Sequence, residues 1–76
     1  AIPFSLEKPT AVTLSIHDIS GRLVRTLADA QSFSAGRSEL VWDGLDAAGL
    51  AAPSGVYFYR LETAAGAAAR PMLLVK

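Results

Sequence analysis

Residues 12–27 read VTLSIHDISGRLVRTL. Val12, Leu14 and Ile16 alternate with Thr13, Ser15 and His17, and a period of two puts the apolar members on one face of an extended strand. The alternation stops at Asp18-Ile19-Ser20-Gly21. An aspartate at the first turn position accepts N–H bonds from the backbone just ahead of it, and a glycine supplies positive φ at the end. The stretch therefore predicts a hairpin with a four-residue loop and a returning strand over 22–27.

The same period recurs on both sides of this hairpin. Ile2, Phe4 and Leu6 alternate with Pro3, Ser5 and Glu7, and Tyr57, Tyr59 and Leu61 alternate with Phe58, Arg60 and Glu62. Lys8-Pro9 closes the first run, and Ser34-Ala35-Gly36 precedes a strand over 38–42. Residues 43–55 hold Gly44, Gly49, Gly55, Pro53, Asp43 and Asp46 and read as a long connection. Residues 64–66 form the tip of a last hairpin, with its final strand over 70–76. The alanine-rich stretches 28–30 and 64–69 are too short to stand as helices.

Six short strands with turn chemistry between them define an all-β chain, either a sandwich or a small barrel. The expected core is Phe4, Leu6, Val12, Leu14, Ile16, Val24, Leu27, Leu40, Trp42, Tyr57, Tyr59, Leu61, Met72 and Leu74. Pro3 and Pro71 fall inside strands and cannot donate to a ladder, so the first and last strands belong at sheet edges.

At 76 residues the chain reads as one domain, 1–76, with no room for a core and a deep pocket together. Half of it is hydrophobic (51%), ample for a folded globule. Lys+Arg and Asp+Glu both number 7, giving zero net charge, whereas a nucleic-acid partner calls for a basic excess. There is no cysteine, which excludes disulfides, thiolate metal sites and cysteine nucleophiles. No apolar run approaches the roughly 18 residues of a membrane-spanning helix.

Candidate chemistry is sparse. His17 is the single histidine, falls on the outward face, and has neither a nucleophile nor enough co-ligands for a metal. Asp43, Asp46 and Gly49 share a loop but lack the ligand spacing of a calcium loop, and turn capping accounts for both aspartates. No serine sits in a nucleophile elbow, and Glu7, Glu39 and Glu62 fall on polar strand faces. No catalytic residue, cofactor or metal is expected. The arginines at 22, 25, 37, 60 and 70 read as a solvated face paired across strands with Glu39 and Glu62. Among the aromatics, alternation sends Trp42, Tyr57 and Tyr59 inward and leaves Phe58 outside, with Phe33 in a loop beside it as a candidate contact surface.

Four segments in order carry a resemblance: IHDISGRLVRTL at 16–27, AGRSELVWDGLDAAG at 35–49, SGVYFYRL at 54–61 and RPMLLVK at 70–76. They resemble the immunoglobulin-like domain of the flagellar hook-capping (FlgD-like) family, a pattern also seen in C-terminal sorting domains of proteins exported by type IX secretion. The motif positions are Asp18, Gly21, Trp42, Asp43, Gly44, Gly55, Tyr57 and Tyr59. The resemblance implies an immunoglobulin- or fibronectin III-like antiparallel β-sandwich of about six to seven strands without catalytic residues. It further implies the C-terminal module of a larger exported or cell-surface protein, acting in sorting, attachment or as a structural appendage. Its partners would be secretion or surface machinery, or copies of itself, with Arg70 and Lys76 on the terminal strand as contact residues. Two other roles are compatible with the residues: self-assembly into a fibre or scaffold through edge strands, and carbohydrate binding on Phe33 and Phe58.

Overall fold

A computed structural model describes residues 2–75; the expected contact residue Lys76 lies outside them. The strands are β1 (Ile2–Leu6), β2 (Thr10–Asp18), β3 (Leu23–Phe33), β4 (Gly36–Leu40), β5 (Gly55–Thr63) and β6 (Gly66–Leu74). Every strand pairing is antiparallel. One sheet has two strands, β1-β4, and the other four, in the order β3-β2-β5-β6. The chain is thus an all-β sandwich of six strands.

The opening hairpin organises the fold. β2 sits inside the larger sheet, and its alternation fills the core: Val12, Leu14 and Ile16 are fully buried. Each such side chain contributes roughly 1.5–3 kcal/mol of transfer free energy. From β1, Ile2 joins Leu14 and Ile16 in the core cluster, and Phe4 is buried against Phe33. β6 is an edge strand and β1 has one partner, as the prolines require.

Three boundaries differ from the sequence reading. β3 continues to Phe33 because pairing with β2 carries it on, up to Thr10↔Phe33. Ala28 lies opposite Leu14 and is buried, a core position that a small side chain hides. Between Val12↔Gln31 and Leu14↔Ala28 the register slips, so Asp29 and Ala30 bulge against Thr13. Ala30 takes φ 49° there, and its N–H donates to the Thr13 hydroxyl at 3.0 Å. β4 starts and stops early, at Gly36 and Leu40, which leaves Trp42 beyond the strand rather than in it. β6 begins at Gly66, because a two-residue turn at Ala64-Ala65 lets all nine residues pair with β5.

The expected core is partly redistributed. Phe4, Val12, Leu14, Ile16 and Tyr57 are buried, joined by Ile2, Ala28 and Ala52. Leu6, Val24, Leu27, Leu40, Trp42, Tyr59, Leu61, Met72 and Leu74 are only half-buried. Two strands cannot roof four, and the burial follows that mismatch. The inner face is sealed along β2 and partly covered along β5. On β6 it is open, with Met72 and Leu74 half-buried and Ala68 and Arg70 exposed.

The molecule extends 35 × 19 × 19 Å. The β2–β3 turn, the 41–54 connection, the start of β5 and the end of β6 gather at one end. There the Ala47 N–H donates to the Val24 carbonyl at 2.9 Å, and a Cβ built on Gly44 would lie 3.6 Å from the Leu74 side chain. Lys8-Pro9, Ser34-Ala35 and the Ala64-Ala65 turn form the other end.

Candidate interaction surface

The loop end is built by three aspartates, each spent on backbone. Asp18 Oδ1 accepts from the Ser20 N–H (3.0 Å), the Ser20 hydroxyl (2.7 Å) and the Arg22 N–H (2.9 Å). The Ser20 hydroxyl bond first, and the Arg22 backbone bond next, hold its carboxyl below the usual aspartate value. Gly21 closes this turn at φ 87°. Asp43 Oδ1 accepts from the Leu45 N–H at 3.0 Å and the Arg25 guanidinium at 2.7 Å, with Gly44 at φ 79° between them. Asp46 Oδ1 accepts from the Ala48 and Leu50 N–H groups at 2.9 and 3.0 Å. This is the turn-capping arrangement. Among the described residues no three His, Cys, Asp or Glu side chains converge on a metal position.

Trp42, placed outside β4, still serves the core. Its ring packs edge-on against Tyr57 at 5.1 Å, and its Nε1–H donates to the Leu45 carbonyl at 2.9 Å. The Tyr57 hydroxyl reaches back to the Pro53 carbonyl at 2.6 Å, an arrangement akin to the tyrosine corner of immunoglobulin sandwiches. Gly55 opens β5 between these two residues, and Tyr59 follows on the same inward face. Asp18, Gly21, Trp42, Asp43, Gly44, Gly55 and Tyr57 thus meet at one end as a framework, with Tyr59 one step along β5.

The arginines pair differently from expectation. Arg25 bonds Asp43 across the connection, Arg60 bonds Glu62 on its own strand at 3.2 Å, and Arg22 lies 4.0 Å from Asp18 within the turn. Among the described residues neither Glu39 nor Glu62 is bridged across strands. His17 Nε2 shares a hydrogen bond with the Ser15 hydroxyl at 3.0 Å.

Phe33 and Phe58 do not form a pair. Phe33 ends β3 opposite Thr10 and packs edge-on against Phe4 at 5.2 Å. Phe58 lies opposite His17 on the other flank of β2, seven residues along, about 23 Å away at strand rise. Long-range pairing, which a single sequence does not display, draws Phe33 into the core.

Phe58 instead belongs to a row across the outer face of the larger sheet: Leu23, His17, Phe58 and Pro71 stand in register on the four strands. Val56 and Leu73 form a second, adjoining pair. Leu23 is 56% exposed, Leu73 66%, Val56 46% and Phe58 36%. Together they form an apolar patch on the order of several hundred Å², the scale at which such patches mark contact sites. Ile19, Val41, Leu50 and Val75, also exposed, lie at this same end. The run Val56–Tyr59, apolar on both faces, was the sequence signal for this patch. Leu23 and Leu73 emerge only from the register. Arg70 takes the opposite face: it stands beside Tyr59 on the inner side of β6, exposed and without an ion pair among the described residues.

Two antiparallel sheets of unequal size, a turn-capped loop end and a tyrosine hydroxyl bonded back to the chain define an immunoglobulin-like β-sandwich module. The chain belongs to the FlgD Ig-like domain family, whose model matches residues 1–67. No curated protein matches the chain.

Proposed function

We propose that this module is a non-catalytic attachment domain, docking the protein that carries it onto a protein partner in an exported or cell-surface assembly. The observation that carries this reading is the apolar row Leu23–Phe58–Pro71 with Val56 and Leu73, left bare on a face whose charged neighbours are already paired. A bare sheet face of this kind fits a packed protein surface at about 10 Å spacing. Membership of the hook-capping domain family supports a structural role in assembly. Sorting by type IX secretion is the narrower form of the proposal; its terminal-strand motif, 70–76, lies wholly past residue 67, where the family match ends. The test is a Phe58→Asp, Leu73→Asp variant of the carrying protein. Both positions face outward, so the fold is retained, and the protein is expected to be lost from its assembly or surface fraction. Undiminished attachment with an intact fold would overturn the reading.

A second reading, self-assembly through edge strands, is favoured by β6. Its nine residues have one paired side, and Ala67, Ala68 and Ala69 offer no charge to deter a further strand. Pro71 interrupts that edge. Sedimentation at micromolar concentration decides this point: a strict monomer rules it out. The carbohydrate reading loses its platform, since Phe33 and Phe58 are far apart.

A further inference from the structure

The larger sheet ends at β3 and β6, and β1 and β4 are the edges of the smaller. Three of these strands carry something that deters a further strand. On β3 the Val24 carbonyl is taken by the Ala47 N–H, and the bulge at Asp29-Ala30 breaks the register. β1 carries Pro3, and β4 carries the exposed Arg37 and Glu39. β6 differs over its first half, where Gly66, Ala67, Ala68 and Ala69 are exposed and uncharged.

The hairpin decides which backbone groups of β6 face outward. Its two-residue turn makes Thr63 and Gly66 a hydrogen-bonded pair, and such pairs alternate along an antiparallel ladder. Gly66, Ala68 and Arg70 therefore aim their N–H and C=O groups at β5, while Ala67, Ala69 and Pro71 aim theirs at the free edge. Pro71 costs the β5 ladder nothing and removes a donor from the free edge alone. The open stretch is bounded by the turn at one end and Pro71 at the other. A long foreign strand laid along β6 would meet that proline, whereas a second copy set antiparallel needs only the open stretch.

We propose that two copies of the chain join through β6 about a two-fold axis at Ala68, with Ala67 of each opposite Ala69 of the other. The outward N–H and C=O groups of both residues are then paired, Pro71 lies past the last of these pairs, and Arg70 falls opposite Gly66. Other centres fail on the same residues. An axis at Ala67 runs into the turn, and one at Ala69 sets Ala67 against the missing donor of Pro71. An axis at Arg70 sets two guanidinium groups directly opposite each other. With zero net charge the copies meet without net repulsion. The inference rests on the edge-strand reading above and gives it a register and an end point. Pairing β6 with itself uses up the open edge on both copies, so assembly closes at a dimer instead of growing into a fibre.

The experiment is sedimentation equilibrium of the chain at tens to hundreds of micromolar, with two double variants at exposed positions. Ala67→Lys, Ala69→Lys places like charges opposite each other across the axis and should weaken the dimer roughly fivefold or more. Ala67→Lys, Ala69→Glu places opposite charges there and should dimerise at least as tightly as the parent. Because the chain has no cysteine, Ala68→Cys should link two copies in an oxidising glutathione buffer, while Ala69→Cys, two residues out of register with itself, should not. A strict monomer overturns both this inference and the wider edge-strand reading. A dimer that answers the two charge variants alike, or that is linked by Ala69→Cys and not by Ala68→Cys, overturns the β6 register and leaves the wider reading standing. Loss of the dimer in Phe58→Asp, Leu73→Asp with no response to the charge variants would place the contact on the outer face and overturn the inference as well.

Discussion

Tyr57 ties the loop end to the core through one side chain: its ring packs on Trp42 and its hydroxyl holds the Pro53 carbonyl. Tyr57→Phe keeps the ring and orphans the carbonyl, so urea unfolding should show a loss of about 1 kcal/mol. Leu14→Ala should cost more, about 2–5 kcal/mol, because it opens a cavity in the sealed part of the core. Asp18 makes the fold sensitive to acid in a defined direction. Its folded carboxyl titrates below the ordinary aspartate value of 3.8, so its contribution is complete above that value and is lost as pH falls through the lower one. Asp18→Asn should be less stable than the parent near neutrality and equal to it in strong acid; a gap that persists in acid would contradict this account. Such residues were legible in the sequence because turn chemistry is local. Asp18, Gly21, Asp43 and Gly44 act on neighbours within a few positions. Phe33 was misplaced because its partner, Phe4, lies far along the chain, whereas Trp42 was read correctly as inward-facing and only its strand ends sooner.

Among the elements, β3 departs furthest from its sequence pattern. Its second half, with Asp29, Ala30, Gln31 and Ser32 exposed, has no alternation to announce a strand, and only the ladder with β2 keeps it extended. The bulge costs something at Ala30, whose left-handed φ disfavours any residue with a Cβ. Ala30→Gly should therefore stabilise the chain by up to about 1 kcal/mol, read from the urea midpoint at unchanged slope. Ala30→Val should destabilise it. β6 presents the reverse case: its length follows from pairing with β5, yet the smaller sheet gives it little cover. Amide exchange should be slowest in β2 and β5 and fastest in β6 and the tail of β3. Uniform protection across the larger sheet would mean that the roof mismatch has no energetic weight.

At the scale of the molecule, the all-β class was readable from period and turns alone, whereas the division into two and four strands was not. Alternation tells each strand which face is apolar but not which strand lies beside it, and the outer-face row exists only once β3, β2, β5 and β6 are in register. The same blindness hid Ala28 and Ala52, too small to read as core until something packs on them. One feature of the layout reaches beyond binding. Ile2 begins β1 opposite Leu40, and Leu74 ends β6 opposite Gly55, so both strands start or finish at the loop end. A load applied between these two residues meets each ladder at its terminal pair and opens it one rung at a time, as a zip fastener opens, instead of shearing all the rungs together. Under tension at Ile2 and Leu74 the module is a soft link, yielding by peeling at low force, and single-molecule pulling should find it to give way well before a sandwich loaded from opposite ends.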